Sequence, residues 1–192
     1  MAPADDQDLV RRLKEGDASA FDEAYRRHHA ALYGFLVRLL GRRDIAEDLL
    51  QETWLRLASR APELRDDTHL PAWLFTVARN LSLSFLRWRS LDDERLGALR
   101  VAWFRQPADP TPFDLTAASQ LERRLEVALA ALPVRYREVL ILCAVNGLAP
   151  QDAATVVGVT PEALRQRLAR ARAMIESHLD EQEPTAAREA KS

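Results

Sequence analysis

Apolar positions in the N-terminal half recur in alternating steps of four and three, the period of one helix face. Phe21, Tyr25, His28, Leu32, Phe35 and Leu39 form the first long stripe, which predicts a helix of about six turns. Asp17 stands where an N-cap belongs, and Gly41 where a left-handed residue would close the helix. The next segment, DIAEDLLQETWLRLAS, places Ile45, Leu49, Thr53 and Leu57 inward. Asp44 is its expected cap, and Glu47 resembles the acidic partner of a capping box. After the polar stretch RAPELRDDTH, Pro71 suits a first helical turn, and Leu70, Leu74, Val77, Leu81, Phe85 and Trp88 make another stripe. A short helix around Leu9 to Leu13 leads the set. Together these elements read as a bundle over residues 5–90.

The period is lost over residues 91–117, where Pro107, Pro110 and Pro112 accumulate, and this stretch reads as a flexible linker. Trp103 and Phe104 within it either dock on a domain or mark a partner contact. The helical pattern resumes in LERRLEVALAALP, with Leu121, Leu125, Ala128 and Leu132 inward and Pro133 as the stop. VRYREVLILCAVNG follows, with Gly147 as its C-terminal cap. PQDAATVV, then GVT, then PEALRQRLARARAMIESHL spell two helices with a tight turn between them, Thr160 serving as N-cap and Pro161 opening the second. That is the grammar of a helix-turn-helix, in a unit spanning 118–180, with a disordered tail over 181–192. The expected fold is all-α: two small helical domains joined by the linker.

Composition narrows the classes further. Glycine is scarce, at 6, and strong helix formers dominate. The single cysteine, Cys143, excludes an internal disulfide and fits a reducing compartment. His28, His29, His69 and His178 are scattered without metal-ligand spacing, and no glycine-rich phosphate loop or nucleophile–base pair occurs. Neither a catalytic role nor a cofactor or metal is expected. The N-terminus is acidic where a signal peptide is basic, and the apolar runs reach only seven or eight residues. A membrane span needs roughly 20, so a cytoplasmic protein with no membrane segment is expected.

Charge then singles out one helix. The net charge is −2, yet Arg165, Arg167, Arg170 and Arg172 crowd into eight positions. At about 100° per residue, Leu164, Leu168, Ala171 and Ile175 share a narrow apolar stripe. Glu162, Gln166, Ala169 and Ala173 oppose it, and the arginines occupy both shoulders. A helix in the major groove meets phosphates on its flanks and base edges ahead, which is where guanidinium forks and short or amide side chains respectively belong. The bland alternative is that these arginines only solubilise a surface helix or make i,i+4 pairs, and it is weakened because the helix supplies only Glu162 and Glu176 as partners. A second surface lies on the 70–89 helix, where Trp73, Thr76, Asn80, Ser84 and Arg87 form a line and Arg79 and Arg89 add charge. No acid occurs between Trp73 and Ser90. Such a line offers stacking, edge reading and phosphate pairing to unpaired bases, although a lone tryptophan is more commonly core. Leu83 and Leu86 point outward on this wheel.

DIAEDLLQETWLRL, LPAWLFTVARNLSLSFLRWR and ALPVRYREVLILCAVNGLAPQDAATVVGVTPEALRQRLARAR resemble, in order and over about residues 10–180, the extracytoplasmic-function (ECF) sigma factors of the sigma-70 superfamily. The resemblance implies a region 2 domain followed by a region 4 domain. It implies that Asp48, Gln51, Glu52 and Arg56 dock on the β′ clamp helices of core RNA polymerase, with further contact to the β flap. It implies that Trp73, Thr76, Arg79, Asn80, Ser84 and Arg87 read and trap bases of the −10 element. It implies that Glu162, Arg165, Gln166, Arg167, Ala169, Arg170 and Arg172 meet the −35 element, and that an anti-sigma factor is a further partner.

Two other classes compete. A response regulator would share the helix-turn-helix but needs an α/β receiver, and the first half here is helical. A sigma-like interaction protein that titrates an anti-sigma factor would keep the domain surfaces without needing arginines that face a groove.

Overall fold

The computed structural model describes residues 4–96 and 117–181, and among these there is no β-strand. The first unit contains α1 (Ala4–Lys14), α2 (Ala18–Leu40), α3 (Arg43–Arg60), a single 3₁₀ turn (Ala61–Glu63) and α4 (Leu70–Leu96). The second contains α5 (Ala117–Ala131), α6 (Val134–Leu140), which runs on into a π-helical turn (Ile141–Val145), α7 (Pro150–Val157) and α8 (Pro161–Glu181). Trp103 and Phe104 lie outside the described residues.

Local signals set the helix ends much as expected. Asp17 caps α2, accepting the Ser19 amide at 2.8 Å. Its carboxyl is held down at about 2, first by the Ser19 hydroxyl and then by the Arg12 guanidinium. Gly41, at φ 68°, ends the helix by donating its amide to the Val37 carbonyl. At α3 the boundary shifts. The cap position is Arg42, and Asp44 lies inside the first turn, its carboxylate paired with the Arg42 guanidinium. Its negative charge there complements the N-terminal end of the helix dipole.

The core of the first unit is built from Leu32, Phe35, Leu36 and Leu39 of α2 against Leu50, Trp54 and Leu57 of α3 and Leu74, Phe75 and Ala78 of α4. Phe35 and Phe75 meet edge to face at 5.4 Å between ring centroids. The inner stripe of α3 is turned by one position from the expected one: Ala46, Leu50, Thr53, Trp54 and Leu57 are buried, while Ile45 and Leu49 are half-buried. Tyr25, expected inside, is exposed, and Trp88, expected inside, is 62% exposed. The α4 helix also continues past Ser90, to Leu96.

In the second unit Leu129, Leu132, Tyr136, Val139, Ile141 and Leu142 pack against Val156, Val157, Leu164 and Ala171. Leu121 and Leu125 are exposed, so the inward face of α5 is confined to its C-terminal end. The units are docked: α4 packs against α7, and α2 against α5 and α6, so the buried side chains form one continuous cluster.

Candidate nucleic-acid interface

The approach to α8 is fixed by backbone chemistry. Gly158, at φ 71°, adopts the left-handed conformation that ends α7, and its amide donates back toward Ala154 and Thr155. The Val159 amide donates to the Ala154 carbonyl at 3.0 Å, which turns the chain sharply. Thr160 then accepts the Ala163 amide on its hydroxyl at 3.2 Å, and α8 begins at Pro161. Leu164 and Ala171 are fully buried and fix the rotation of α8. Truncating a leucine held like Leu164 costs about 2–5 kcal/mol in comparable cores.

That rotation leaves Glu162, Arg165, Gln166, Ala169, Arg170 and Arg172 exposed, with Arg167 half-buried. Arg165 pairs with Glu162 one turn back, both side chains being 64% exposed, and the guanidinium holds the Glu162 carboxyl below its usual range. An exposed pair of this kind contributes little, so a phosphate or base edge can displace it. Within the π-helical turn Ile141–Val145, Ile141 and Leu142 are buried and Val145 is exposed.

Two groups that the sequence pattern did not single out join this surface. Arg135 and Tyr136, in the first turn of α6, line an open cleft of about 280 Å³ together with Ala163, Gln166, Arg167 and Arg170. The Arg135 guanidinium carbon sits 4.8 Å from the centre of the Tyr136 ring. Arg170, hydrogen-bonded to the Tyr136 hydroxyl, pushes that group below its ordinary value, aided by the charge of Arg135. Three guanidinium groups and a phenol around one cleft form a geometry suited to a phosphodiester oxygen. The signal was the VRYRE run, whose arginines flank an aromatic residue just after a helix stop.

The α4 residues expected to act together are divided. Asn80, Ser84 and Arg87 are exposed, and Arg87 donates to the Ser84 hydroxyl at 3.3 Å. Trp73 is half-buried against the core, and the Thr76 hydroxyl donates to the Ala72 carbonyl at 2.7 Å. Arg79 faces the second unit: its Nε donates to Glu138 Oε2 at 2.7 Å and its Nη2 to Oε1 at 3.2 Å. Leu83 is half-buried and Leu86 packs on the core, where an outward orientation was expected.

On α3, Asp48, Gln51 and Arg56 are exposed, and Glu52 accepts from Arg56 Nε at 2.8 Å. Leu55 stands among them 57% exposed. An apolar residue ringed by exposed polar and charged side chains is the composition of a protein-docking surface. Beside it a groove of about 550 Å³ is lined by Tyr25, His29, Tyr33, Glu47, Leu50, Gln51 and Trp54.

A helical bundle that carries a separate helix-turn-helix with an arginine-rich exposed face defines a two-unit DNA-binding protein. Comparison places it within that class. The family model for Sigma-70 region 2 matches residues 24–91, and the model for Sigma-70, region 4 matches residues 122–175. The chain belongs to the ECF sigma factors of the sigma-70 family. It is 35% identical over 150 residues to the ECF RNA polymerase sigma factor EcfG of Rhodopseudomonas palustris, covering 78% of this chain and 79% of that one. Identity to the ECF RNA polymerase sigma factor SigE of Mycolicibacterium smegmatis is 33% over 168 residues, 85% of this chain and 64% of the relative's length. Among solved structures, the sigma factor RpoE from Bartonella quintana, in complex with the anti-sigma factor NepR, aligns with a TM-score of 0.66 at 28% identity, covering 85% of this chain and 98% of that one.

Proposed function

We propose that the chain acts as an alternative sigma factor, binding core RNA polymerase and directing it to promoters, with region 4 reading the −35 element and region 2 the −10 element. The observation that carries this reading is the pairing of both sigma regions, in order, in one chain whose recognition helix exposes Arg165, Gln166 and Arg170. In the −35 major groove, Gln166 and Arg165 face base edges, Glu162 accepts from a cytosine amine, and Arg167, Arg170 and Arg172 take phosphates on the flanks. Arg135 and Tyr136 supply a further phosphate seat beside Arg170.

On region 2, Trp73, Thr76, Asn80, Ser84 and Arg87, with Arg79, meet the unpaired −10 bases. Trapping flipped bases offsets stacking losses of a few kcal/mol per base, so the reaction needs no nucleotide hydrolysis and the chain is not itself an enzyme. Asp48, Gln51, Glu52 and Arg56 hold the β′ clamp helices, with Leu55 as the apolar contact, and region 4 meets the β flap. The proposed units span 5–90 and 118–180, joined through 91–117, with the tail over 181–192. Acting on the chromosome, the protein works in the cytoplasm. The solved neighbour carries an anti-sigma factor, and a partner of that kind is proposed here.

The deciding experiment is run-off transcription with core polymerase and a genomic library. Mapped starts must share paired −35 and −10 sequences, and substitution of Arg165 and Gln166 must abolish them while sparing anti-sigma binding. Unchanged transcription by that variant overturns the −35 assignment, and failure to bind core polymerase overturns the function.

A further inference from the structure

We infer that the Arg79–Glu138 pair is an interdomain latch that holds region 4 on region 2 in the free chain and must break before the two promoter elements can be read together. The latch itself rests on the geometry of the docked units, while what it blocks rests on the proposed reading of α4 and α8.

Polar groups meet across the boundary between the units. Arg38 Nε lies 2.8 Å from Glu126 Oε1, Arg137 Nη1 donates to the Leu39 carbonyl at 3.1 Å, and His69 Nδ1 lies 3.2 Å from Asp152 Oδ1. The Arg79–Glu138 fork joins them. The side chains of Arg38 and Glu126 are 33% and 50% exposed, so water competes for that pair. Arg79 and Glu138 are 15% and 3% exposed, and so are more enclosed than either of the other two pairs. Enclosure makes the pair a discriminator between docked and separated states. Desolvating two charges is offset only by fork geometry, and removing one partner strands the other in a dry interface. Separation rehydrates both groups, so a broken pair favours opening.

The span of a promoter shows why opening is required. Elements named −35 and −10 lie about 25 base pairs apart, or ~85 Å along the duplex at 3.4 Å per step. A single compact body of this chain's size has a radius of gyration of about 16 Å and a diameter of about 40 Å. With α4 and α8 in one body, the two elements cannot be contacted at once. Arg79, one of the cations proposed for the −10 strand, is meanwhile satisfied by a carboxylate and withdrawn from phosphate. The docked chain thus cannot bridge both elements at once, and a surface that draws the units apart, as extended polymerase would, frees Arg79 and lets the two elements be read together.

Small-angle scattering on the free full-length chain tests this directly. The wild type is expected at a radius of gyration near 16 Å, and Glu138→Lys, which opposes Arg79 with a like charge, at roughly half as much again, the value for two separated units. Combining Glu138→Lys with Arg79→Glu restores an ion pair of reversed polarity and is expected to return the compact value. Should Glu138→Lys lose helicity by circular dichroism, Arg79→Gln is read in its place, with the same expansion expected. A wild-type chain that is already expanded, or a Glu138 variant as compact as the wild type, overturns the latch. In parallel, Glu138→Lys is expected to bind a single-stranded −10 oligonucleotide about 10-fold more tightly, as when the competent fraction rises from about a tenth to nearly all. Expansion without that gain leaves the latch standing and removes the −10 assignment of α4.

Discussion

The Thr160 hydroxyl accepts the Ala163 amide at 3.2 Å, and this one bond fixes where the recognition helix begins. It satisfies one of the amides that any helix start leaves without an intrahelical partner, and it sets the register in which Arg165 and Gln166 face outward. Thr160→Val keeps the shape and removes the acceptor. A loss of about 1 kcal/mol is expected, read as a fall of roughly 2–4 °C in melting temperature. Thr160→Ser and Thr160→Asp are expected to retain the stability, and a melting curve unchanged by valine would deny the hydroxyl any capping role.

Features of that local kind were legible in the sequence. Asp17, Gly41, Gly158 and Thr160 act within a few residues of themselves, through caps and left-handed turns, and the chain spells them out. The stripes on α3 and α4 were legible only approximately. Their burial depends on which neighbours cover them, and part of that cover comes from the second unit packing on α4. Leu121 and Leu125 have helical spacing but are left uncovered, so periodicity alone placed them wrongly inside. Trp88 was misplaced in the same way, and stands 62% exposed. The Arg79–Glu138 fork joins residues 59 positions apart, and nothing in either local pattern foretells it. The Arg135–Tyr136 cleft was present as a string of letters, but its meaning appears only once α8 lies beside α6.

That cleft gives a prediction separable from base reading. If Arg135 and Arg170 hold phosphates, replacing either with alanine weakens holoenzyme binding to all −35 sequences nearly equally. The slope of log affinity against log salt should fall by about 1 for each phosphate that is no longer neutralised. Tyr136→Phe removes the hydroxyl that orients Arg170 and is expected to show a smaller loss with the same lack of sequence preference. Gln166→Ala should behave differently, relaxing preference at one base position by about 1–3 kcal/mol while leaving the salt slope intact. Competition binding at several salt concentrations distinguishes these patterns, and a sequence-selective loss in Arg170→Ala would reassign that residue from phosphate to base.

The α3 surface makes a claim about the polymerase alone. Glu52 and Arg56 pair along one side of the helix, with Leu55 exposed beside them. Asp48→Arg with Glu52→Arg reverses the charge of this face while leaving Leu50, Trp54 and Leu57 in the core. The melting temperature is expected to stay within about 2 °C, since surface changes typically stay within about ±0.5 kcal/mol, while association with core polymerase falls at least 10-fold. Leu55→Ala is expected to weaken association without altering its salt dependence. Retained polymerase binding in the charge-reversed chain would move the docking surface elsewhere on the bundle.

His28 provides a pH dependence whose sign follows from its surroundings. Its Nε2 is enclosed and has no hydrogen-bond partner, although the residue sits on the half-buried side of α2. Burial pushes the imidazole below its ordinary pKa; Arg27 and His69 act in the same direction, and Asp6 opposes them. A histidine depressed in the folded state binds its proton more readily when unfolded, so the unfolded chain gains as pH falls. The stabilisation is fully present above the unfolded value of about 6.5 and declines as pH falls below it. Thermal melting of the free chain should therefore decline from about pH 7.5 to about pH 5.5, ahead of the carboxylate titrations expected near pH 4. His28→Leu removes the titrating group at nearly constant volume and is expected to flatten that decline. If His28→Leu keeps the wild-type slope, the pH sensitivity does not arise from His28.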